Sequence, residues 1–345
     1  MSRSFAGLGL MLVLWSLAVS GCGPITFTIG GQPGERRLEA TVVESDEQMF
    51  GPRVAVIDVS GMLVNSERNK LLGQGENPVS LLHEKLQRAK HSDRVKAIIL
   101  RLNTPGGTVT ASDVMYRSVQ RFKRQTSKPV IALMMDVTAS GGYYLACASD
   151  EIVSYPTSVT GSVGVIMQTV SLKPALGRLG VQTVAITSGE NKAAGSLLTT
   201  LSEEQRAIFQ QMVNDFYTRF KRVIKTNRTS MTAEQFTTIS DGRVVTGQRA
   251  VKLNLADRVG DLYTAFDRAK KRANVPMADL VVYHRGARYV GSPYAKASRP
   301  GRGAGGTQIN LAQFNIAGRL PGAQPVGFYY LWRPGLYQPG GDGDS

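Results

Sequence analysis

The sequence predicts an α/β fold with a largely parallel sheet that binds its ligands at the strand ends. Three observations predict it: short β-branched runs recur, glycine-rich turns follow several of them, and segments with helical spacing lie between them. Alternation of this kind favours a parallel sheet covered by helices. With 345 residues, of which 42% are hydrophobic and 19% charged, the chain can form one large domain or two ordinary ones.

The elements follow one another in this pattern from residue 53 onward. Apolar, β-branched runs predict strands over residues 53–59, 95–102, 130–135, 151–154 and 181–186. Helical spacing predicts helices over residues 79–89, through Met115, Val119 and Phe122, and from the turn at Ser140 through Ala148.

Two capping boxes predict helix starts in the second half of the chain. Ser202 with Gln205 opens one helix, and Thr232 with Gln235 opens another. The first helix carries an apolar stripe spaced by four residues: Ile208, Met212, Phe216, Phe220 and Ile224. That stripe is typical of a core or a subunit interface rather than of a cofactor site.

The N-terminus has the features of an export signal over residues 1–21. Arg3 precedes an apolar stretch over residues 8–19, which is too short to be a comfortable membrane span. The following Val19-Ser20-Gly21-Cys22 resembles the bacterial lipoprotein box. That resemblance implies cleavage before Cys22 and a lipid on its sulfur, which would tether the chain to the extracytoplasmic face of a bacterial membrane. An ordinary signal peptide or an uncleaved anchor, with Cys22 incidental, is the alternative.

Composition also predicts segments that flank a central domain. The composition predicts a membrane-proximal linker over residues 22–52, a folded domain over residues 53–275, and a largely disordered basic tail, rich in Gly and Pro, over residues 276–345.

The formal charge of +15 favours anionic partners. No aromatic–basic nucleic-acid motif and no zinc-ligand spacing occurs in the sequence, so nucleic acid is not expected as a partner. The remaining cysteine, Cys147, is expected to be a buried structural thiol.

Ser140 is the candidate nucleophile. It follows the strand over residues 130–135, in the turn Thr138-Ala139-Ser140-Gly141-Gly142-Tyr143-Tyr144. A serine between small residues at a strand end can expose its hydroxyl beside free backbone N–H groups, which are the parts of an acyl-transfer site.

A serine nucleophile needs a base, and the three histidines are poorly placed for that role. His83 lies in a predicted surface helix, His91 in a charged loop and His284 in the tail, although folding back of His83 or His91 stays open. Lysine can act as a base where burial favours its uncharged form. Lys192 follows the predicted strand over residues 181–186 among small residues, although its composition alone is that of a surface lysine.

Four motifs in order resemble the signal peptide peptidase A family of serine proteases, also called protease IV-like or peptidase family S49, in its short single-domain form. They are Asn103-Thr104-Pro105-Gly106-Gly107, Ala139 to Tyr144, Thr160-Gly161-Ser162-Val163-Gly164-Val165, and Ser188-Gly189 with Lys192. The similarity runs from about Arg53 to Lys271. It implies a crotonase-like or Clp-protease-like spiral of repeated strand–strand–helix units, and a ring or dome of subunits.

The same resemblance implies the roles of the site residues. Ser140 would be the nucleophile, Lys192 the general base, and Ser162 the residue that orients the lysine. The backbone N–H groups of Gly107 and Gly141 would form the oxyanion hole, and no metal or organic cofactor would be needed. The implied activity is a membrane-tethered serine endopeptidase that cuts small or apolar peptides such as signal-peptide remnants.

The chain departs from the family pattern at one helix end, and two other functions stay open. Asn254 stands where the family usually has glycine, and asparagine is the next-best residue for a left-handed helix end. A crotonase-like enzyme acting on acyl-CoA is one alternative, although export from the cytoplasm argues against it. A non-catalytic, ring-forming membrane scaffold is the other.

Overall fold

The computed structural model describes residues 38–46, 51–67, 76–285, 291–294 and 327–332. Its main sheet has nine strands, with the path β1–β11–β2–β3–β5–β6–β10 and with β7 and β9 continuing from β5. The pairs formed by β11, β2, β3, β5 and β6 along this path are parallel. The strands are β1 Leu38–Glu44, β2 Arg53–Ser60, β3 Val95–Thr104, β4 Gly106–Thr108, β5 Val130–Ala139, β6 Glu151–Ser154, β7 Val159–Gly161, β8 Ile166–Gln168, β9 Val244–Thr246, β10 Arg258–Val259, β11 Asp279–Arg285 and β12 Gly327–Leu331.

Helices cover this sheet. They are α1 Pro78–Lys90, α2 Val109–Thr126, α3 Gly141–Ala146, α4 Lys173–Arg178, α5 Glu203–Asn227, α6 Ala233–Ile239, α7 Gly247–Lys252 and α8 Leu262–Arg272. Both predicted capping boxes are present, at the starts of α5 and α6. Asn254 adopts φ 57° just beyond α7, which confirms its predicted left-handed conformation.

The sheet is buried on both faces, which explains the nearly continuous apolar runs of its central strands. One hydrophobic cluster lies on the face covered by α1 and α2 and includes Ile57, Leu100 and Ala132. The other lies under α8 and includes Val56, Ile99 and Leu133. Because side chains alternate along a strand, neighbouring residues of the same strand enter opposite clusters.

A second, three-stranded sheet lies beside the first in the order β4–β12–β8. Strand β3 leads through Pro105 into β4, and β4 leads directly into helix α2. This succession is the expected strand–strand–helix unit, and the prediction of an α/β fold with a largely parallel sheet is confirmed.

The folded part of the chain extends beyond the predicted boundaries of 53 and 275. Strand β1 lies within the predicted linker, and β11 lies within the predicted tail. They pair with each other, and β11 also pairs in parallel with β2. The expectation of a largely disordered tail is therefore wrong for residues 279–285, whose apolar run LVVY completes the sheet, and for the strand β12. The low-complexity stretch 301–306 lies outside the described residues.

The predicted strand over residues 181–186 is not formed. Residues 181–187 have no regular structure, and Val184 and Ile186 are 83% and 97% exposed. A strand needs a neighbouring strand for its backbone hydrogen bonds, and no described strand pairs with this segment. We call residues 169–201, which leave the body after β8 and return at α5, the arm.

The predicted signal peptide 1–21, Cys22 and the first part of the linker lie outside the described residues. Among the helices that the structure does describe, none is long and apolar enough to cross a bilayer.

Candidate active site

Ser140 lies at the junction between β5 and α3 in a backbone conformation that is rare for a serine. Its φ is 52° and its ψ is −115°, and the residue is 1% exposed. The Ser140 N–H donates to Gly161 O at 2.8 Å, and the Tyr144 N–H donates to Ser140 O at 2.9 Å. A non-glycine residue at positive φ costs free energy and persists only where its surroundings fix it. The turn therefore holds this serine in one defined position.

Ser162 lies next to this turn because β5 and β7 are parallel neighbours. Their register pairs Ala139 with Gly161, so Ser140 and Ser162 are the next residues at the carboxyl ends of the two strands. Ser162 also has a positive φ, of 51°, and its N–H donates to Arg243 O at 2.7 Å. It is 8% exposed. The structure thus brings two of the predicted site residues together.

The predicted oxyanion glycines lie at the same edge. Gly141 begins α3 directly after Ser140, so its N–H belongs to the first turn of that helix, where no helical carbonyl is available. Gly107 lies in β4, where a Cβ would be 1.9 Å from the backbone oxygen of Leu63. No side chain fits there, because the backbone of Leu63 approaches β4 this closely.

Gly106 lies between Gly107 and Gly141. In the sequence analysis it was named only as part of a motif. It has a φ of 103°, and a Cβ on it would lie 2.8 Å from the Gly141 nitrogen. The Asn103 to Gly107 turn and the Ser140 turn therefore approach each other closely through their glycine backbones. The doubled glycine of each motif was the sequence signal for this contact.

The side chains of the two tyrosines after Ser140 pack helix α3 against the rest of the domain. Tyr143 is fully buried, and its hydroxyl donates to Leu255 O at 3.0 Å. The hydroxyl of Tyr144 donates to Asp113 Oδ1 at 2.7 Å. Burial raises the pKa of the Tyr144 phenol well above its usual value, and the Asp113 carboxylate raises it further. Tyr144 is therefore a neutral hydrogen-bond donor and a support for the turn.

Asp113 is a residue that sequence reasoning missed. Its Oδ1 also accepts from Arg219 Nε at 3.0 Å, across 106 residues of chain. Burial opposes ionisation of Asp113, but hydrogen bonds from Tyr144 and Arg219 outweigh it and hold the pKa of the carboxyl below its usual range. No local sequence pattern predicts the contact between Asp113 and Arg219, because the two residues meet only after α2 and α5 have packed.

Cys147 is buried, as predicted. Burial raises the pKa of its thiol to about 12. A thiol of this kind is not a nucleophile at neutral pH, because the thiolate is the reactive form.

Lys192 lies elsewhere, in the exposed arm. It belongs to a series of turns over residues 188–195, and its backbone N–H donates to Gly189 O at 3.1 Å. Residues 188–192 are all exposed, whereas Ser140 and Ser162 are buried. The structure of the single chain therefore does not give Lys192 the desolvated surroundings that a lysine base requires.

The structure places the three histidines away from the turn at Ser140 in the chain's elements: two on α1 or at its end, and one in β11. His83 is exposed on α1, and His91 is exposed at its end. His284, which the sequence analysis assigned to a disordered tail, is instead buried in β11 and bonds Thr41 Oγ1 through Nε2 at 2.7 Å. Strands β2 and β3 separate β11 from β5 in the main sheet.

Comparisons with known proteins agree with this architecture. The model of peptidase family S49 matches residues 122–276. The chloroplastic serine protease SPPA of Arabidopsis thaliana is 35% identical over 197 residues, which are 57% of this chain and 29% of that protein. A putative signal peptide peptidase SppA of Enterococcus faecium is 27% identical over 245 residues, which are 71% of each chain.

A further relative, protease 4 of Salmonella typhi, is 31% identical over 233 residues. These cover 68% of this chain and 37% of that protein. The chain thus spans about a third of the length of the chloroplastic and Salmonella relatives and about two thirds of the Enterococcus relative.

Proposed function

Because this chain belongs to the SppA-like peptidase family S49, we propose that it is a serine endopeptidase with Ser140 as its nucleophile. One observation carries the proposal: Ser140 and Ser162 lie at the ends of two paired strands, with Gly106, Gly107 and Gly141 around the Ser140 turn. A buried serine fixed beside glycine backbone is suited to attack a carbonyl whose oxygen the backbone N–H groups stabilise.

In the proposed mechanism Ser140 Oγ attacks the peptide carbonyl, and its proton passes to Nζ of Lys192. The N–H groups of Gly107 and Gly141 donate to the oxyanion of the tetrahedral intermediate. The lysine returns the proton to the leaving amine, which leaves an acyl-enzyme, and water then releases the acyl group by the same steps in reverse order. Ser162 hydrogen-bonds the lysine and keeps it directed at Ser140.

We propose that the lysine comes from a neighbouring copy of the chain in a ring. Lys192 is exposed on the arm, together with a set of exposed aliphatic side chains: Val170, Leu172, Leu179, Val181, Val184, Ile186, Leu197 and Leu198. So many exposed aliphatic side chains in one short segment are unusual on a monomer and are typical of an interface. Packing of the arm against the neighbour would bury this surface and would desolvate Lys192 beside the neighbour's Ser140.

The tether and the substrates complete the proposal. Cleavage before Cys22 and lipidation of its sulfur would hold the ring on the extracytoplasmic face of a bacterial membrane. Peptides left after signal-peptide cleavage are apolar and are released at that membrane, so they fit a site with an aromatic floor formed by Tyr144 and Phe220.

Mixing two inactive variants tests the dyad and its origin together. We expect the chain without residues 1–22 to cleave apolar peptides, and Ser140→Ala and Lys192→Ala each to lower kcat/KM by at least about a thousandfold. Mixed in equal amounts and allowed to reassemble, the two variants should regain about a quarter of wild-type activity, because each ring then contains sites with both native residues.

Each other outcome has a definite meaning. Lys192→Ala with wild-type activity would refute the lysine base. Inactive variants that do not complement each other, while the mixed rings form, would place the dyad within one chain. Assembled wild-type rings that cleave no peptide would favour the scaffold, and turnover of acyl-CoA without peptide cleavage would favour the crotonase-like alternative.

A further inference from the structure

Strand β12 comes from the basic tail and lies against the candidate active site. Residues 327–331 run antiparallel between β4 and β8 as the middle strand of the three-stranded sheet. Tyr330 is paired with Gly107 of β4, and Phe328 with Met167 of β8. A segment near the C-terminus thus pairs with the strand that carries a proposed oxyanion glycine.

The hydrogen-bond pattern directs the carbonyl of Tyr330 at that glycine. The Trp332 N–H donates to Pro105 O at 2.8 Å, so Trp332 and Pro105 face each other as a hydrogen-bonded pair. Such pairs alternate along an antiparallel ladder, and the next one is Tyr330 with Gly107. The Gly107 N–H therefore donates to Tyr330 O.

The second proposed donor lies at the same oxygen. A Cβ on Gly141 would be 3.0 Å from Tyr330 O, and one on Gly106 would be 2.0 Å from it. The carbonyl of Tyr330 is thus surrounded by the glycines of both motifs, next to Ser140. This is the position that the carbonyl of a bound substrate would take.

The side chain of Tyr330 fills a pocket beside this position. It is fully buried, its ring stacks on Tyr144 at 5.2 Å, and it lies 4.8 Å from the ring of Phe220. Its hydroxyl donates to Phe216 O at 2.7 Å. The walls are thus aromatic, with one backbone acceptor at the end, as a pocket for a tyrosine requires.

We propose that Gly327–Leu331 is a pseudosubstrate strand of this chain, which occupies the substrate cleft and keeps external peptides out until it is displaced. The inference rests on the proposed function, since it takes Gly107 and Gly141 as the oxyanion donors. Addition of a strand to an exposed strand edge is a general mode of peptide binding, with main-chain bonds for affinity and a pocket for specificity. A tethered segment competes at an effective concentration of about millimolar, so it suppresses weak external ligands strongly.

The same contacts predict the preference of the cleft. Tyr330 contributes the carbonyl at the donors, so its pocket receives the residue on the acyl side of the bond that would be cut. We therefore expect external peptides with tyrosine or phenylalanine at that position to bind more tightly than those with alanine.

Peptide binding without catalysis tests the proposal. The probe is a fluorescein-labelled peptide with the sequence of residues 325–334, PVGFYYLWRP, and every chain carries Ser140→Ala so that nothing is cut. By fluorescence anisotropy, a chain that ends at residue 323 should bind the probe at least tenfold more tightly than the chain that keeps its tail. A probe with alanine in place of the second tyrosine should lose at least tenfold in affinity.

A point variant covers the case in which the shortened chain does not fold. Tyr330→Ala in the full-length tail empties the pocket and should raise probe affinity by about threefold or more. Tyr263→Ala, which truncates an exposed tyrosine on α8, is the matched control and should leave probe binding unchanged. Equal probe affinity in the full, Tyr330→Ala and shortened chains, or no binding by a shortened chain with native circular dichroism, would overturn the proposal.

The assay also separates this proposal from the proposed function. Displacement of the tail by the probe without any peptide cleavage by chains that keep Ser140 would retain the pseudosubstrate and refute the peptidase. Cleavage at equal rates by chains with and without the tail would support the peptidase and refute the pseudosubstrate strand.

Discussion

The turn at Ser140 and the arm that carries Lys192 are built in opposite ways. Ser140 is buried, has a strained backbone, and is tied by hydrogen bonds to Gly161 and Tyr144. The arm exposes Val184 and Ile186 almost completely and has no strand. The chain thus packs by itself the half of the candidate site that contains Ser140, the proposed nucleophile. The half that carries Lys192, the proposed base, lacks a surface to pack on.

The difference follows from where each half obtains its stabilisation. The Ser140 turn closes strand β5 at the centre of a sheet that is buried on both faces, so strain there is offset by the whole core. The arm has few buried side chains of its own, and its apolar residues remain in water. A surface of this kind gains free energy only when another surface covers it.

Ile186→Glu should break the arm's proposed contact with a neighbour and, of the substitutions outside Ser140 and Lys192, should have the largest effect on activity. A carboxylate on this 97% exposed side chain costs little in the isolated chain but would be buried in the interface. We expect the assembly to dissociate and kcat/KM to fall by more than about a hundredfold, because a misplaced lysine disrupts the dyad. Sedimentation velocity and peptide hydrolysis measure the two effects.

Gln182→Glu is the matched control, because it adds the same charge to an exposed polar position of the same segment. It should change neither assembly nor activity by more than a few-fold. An Ile186→Glu chain that stays assembled and active would contradict the comparison, since the arm would then need no apolar contact.

Glu151→Gln should lower the free energy of unfolding of the folded domain and should not affect Lys192 on the arm. Glu151 is 1% exposed and accepts from Arg258, Arg268 and Arg272, each at 2.7 Å. Burial raises the pKa of this carboxyl, but the hydrogen bonds from the three arginines outweigh it and lower the pKa to about 2. Loss of the charge should reduce the free energy of unfolding by about 3 kcal/mol.

The pH dependence of this contribution has a definite sign. A carboxyl whose pKa is lower in the folded than in the unfolded state stabilises the fold above the unfolded value of 4.5. That stability is lost as the pH falls from 4.5 towards 2. Urea unfolding at pH 7 and at pH 3 should show a larger loss for the wild type than for Glu151→Gln, and equal losses would refute the assignment.

Local patterns were sufficient to predict much of the fold and to select Ser140 as the candidate nucleophile. Strands β2, β3, β5 and β6 are apolar runs, and both capping boxes are local signals that need no partner. Ser140 was selected from its glycine turn and Ser162 from the family resemblance, and the structure places them at adjacent strand ends. These features can be predicted from the sequence because they are determined by residues that are close together in the chain.

Features that depend on contacts between residues far apart in the sequence could not be predicted from local patterns. Residues 279–285 belong to the sheet because β1 and β2 lie on either side of them, and the basic composition of the tail concealed that run. Residues 181–186 have a strand-like sequence but no neighbour to pair with. Asp113 meets Tyr144 and Arg219 only through helix packing.

Ser140→Gly removes the proposed nucleophile, but its effect on stability should be the smallest of those predicted here, and it tests whether the turn is strained. Glycine adopts a φ of 52° with a ψ of −115° more readily than serine or alanine does. Both Ser140→Gly and Ser140→Ala remove the hydroxyl, so their difference in stability isolates the backbone. We expect Ser140→Gly to be the more stable by about 1 kcal/mol, since strain relief exceeds the entropy that glycine adds to the unfolded chain. At Lys192, on the arm, the same pair of substitutions should show no such preference for glycine. If thermal unfolding shows that Ser140→Ala is as stable as Ser140→Gly, the turn is not strained. The turn at Ser140 and the arm would then differ only in how deeply their residues are buried.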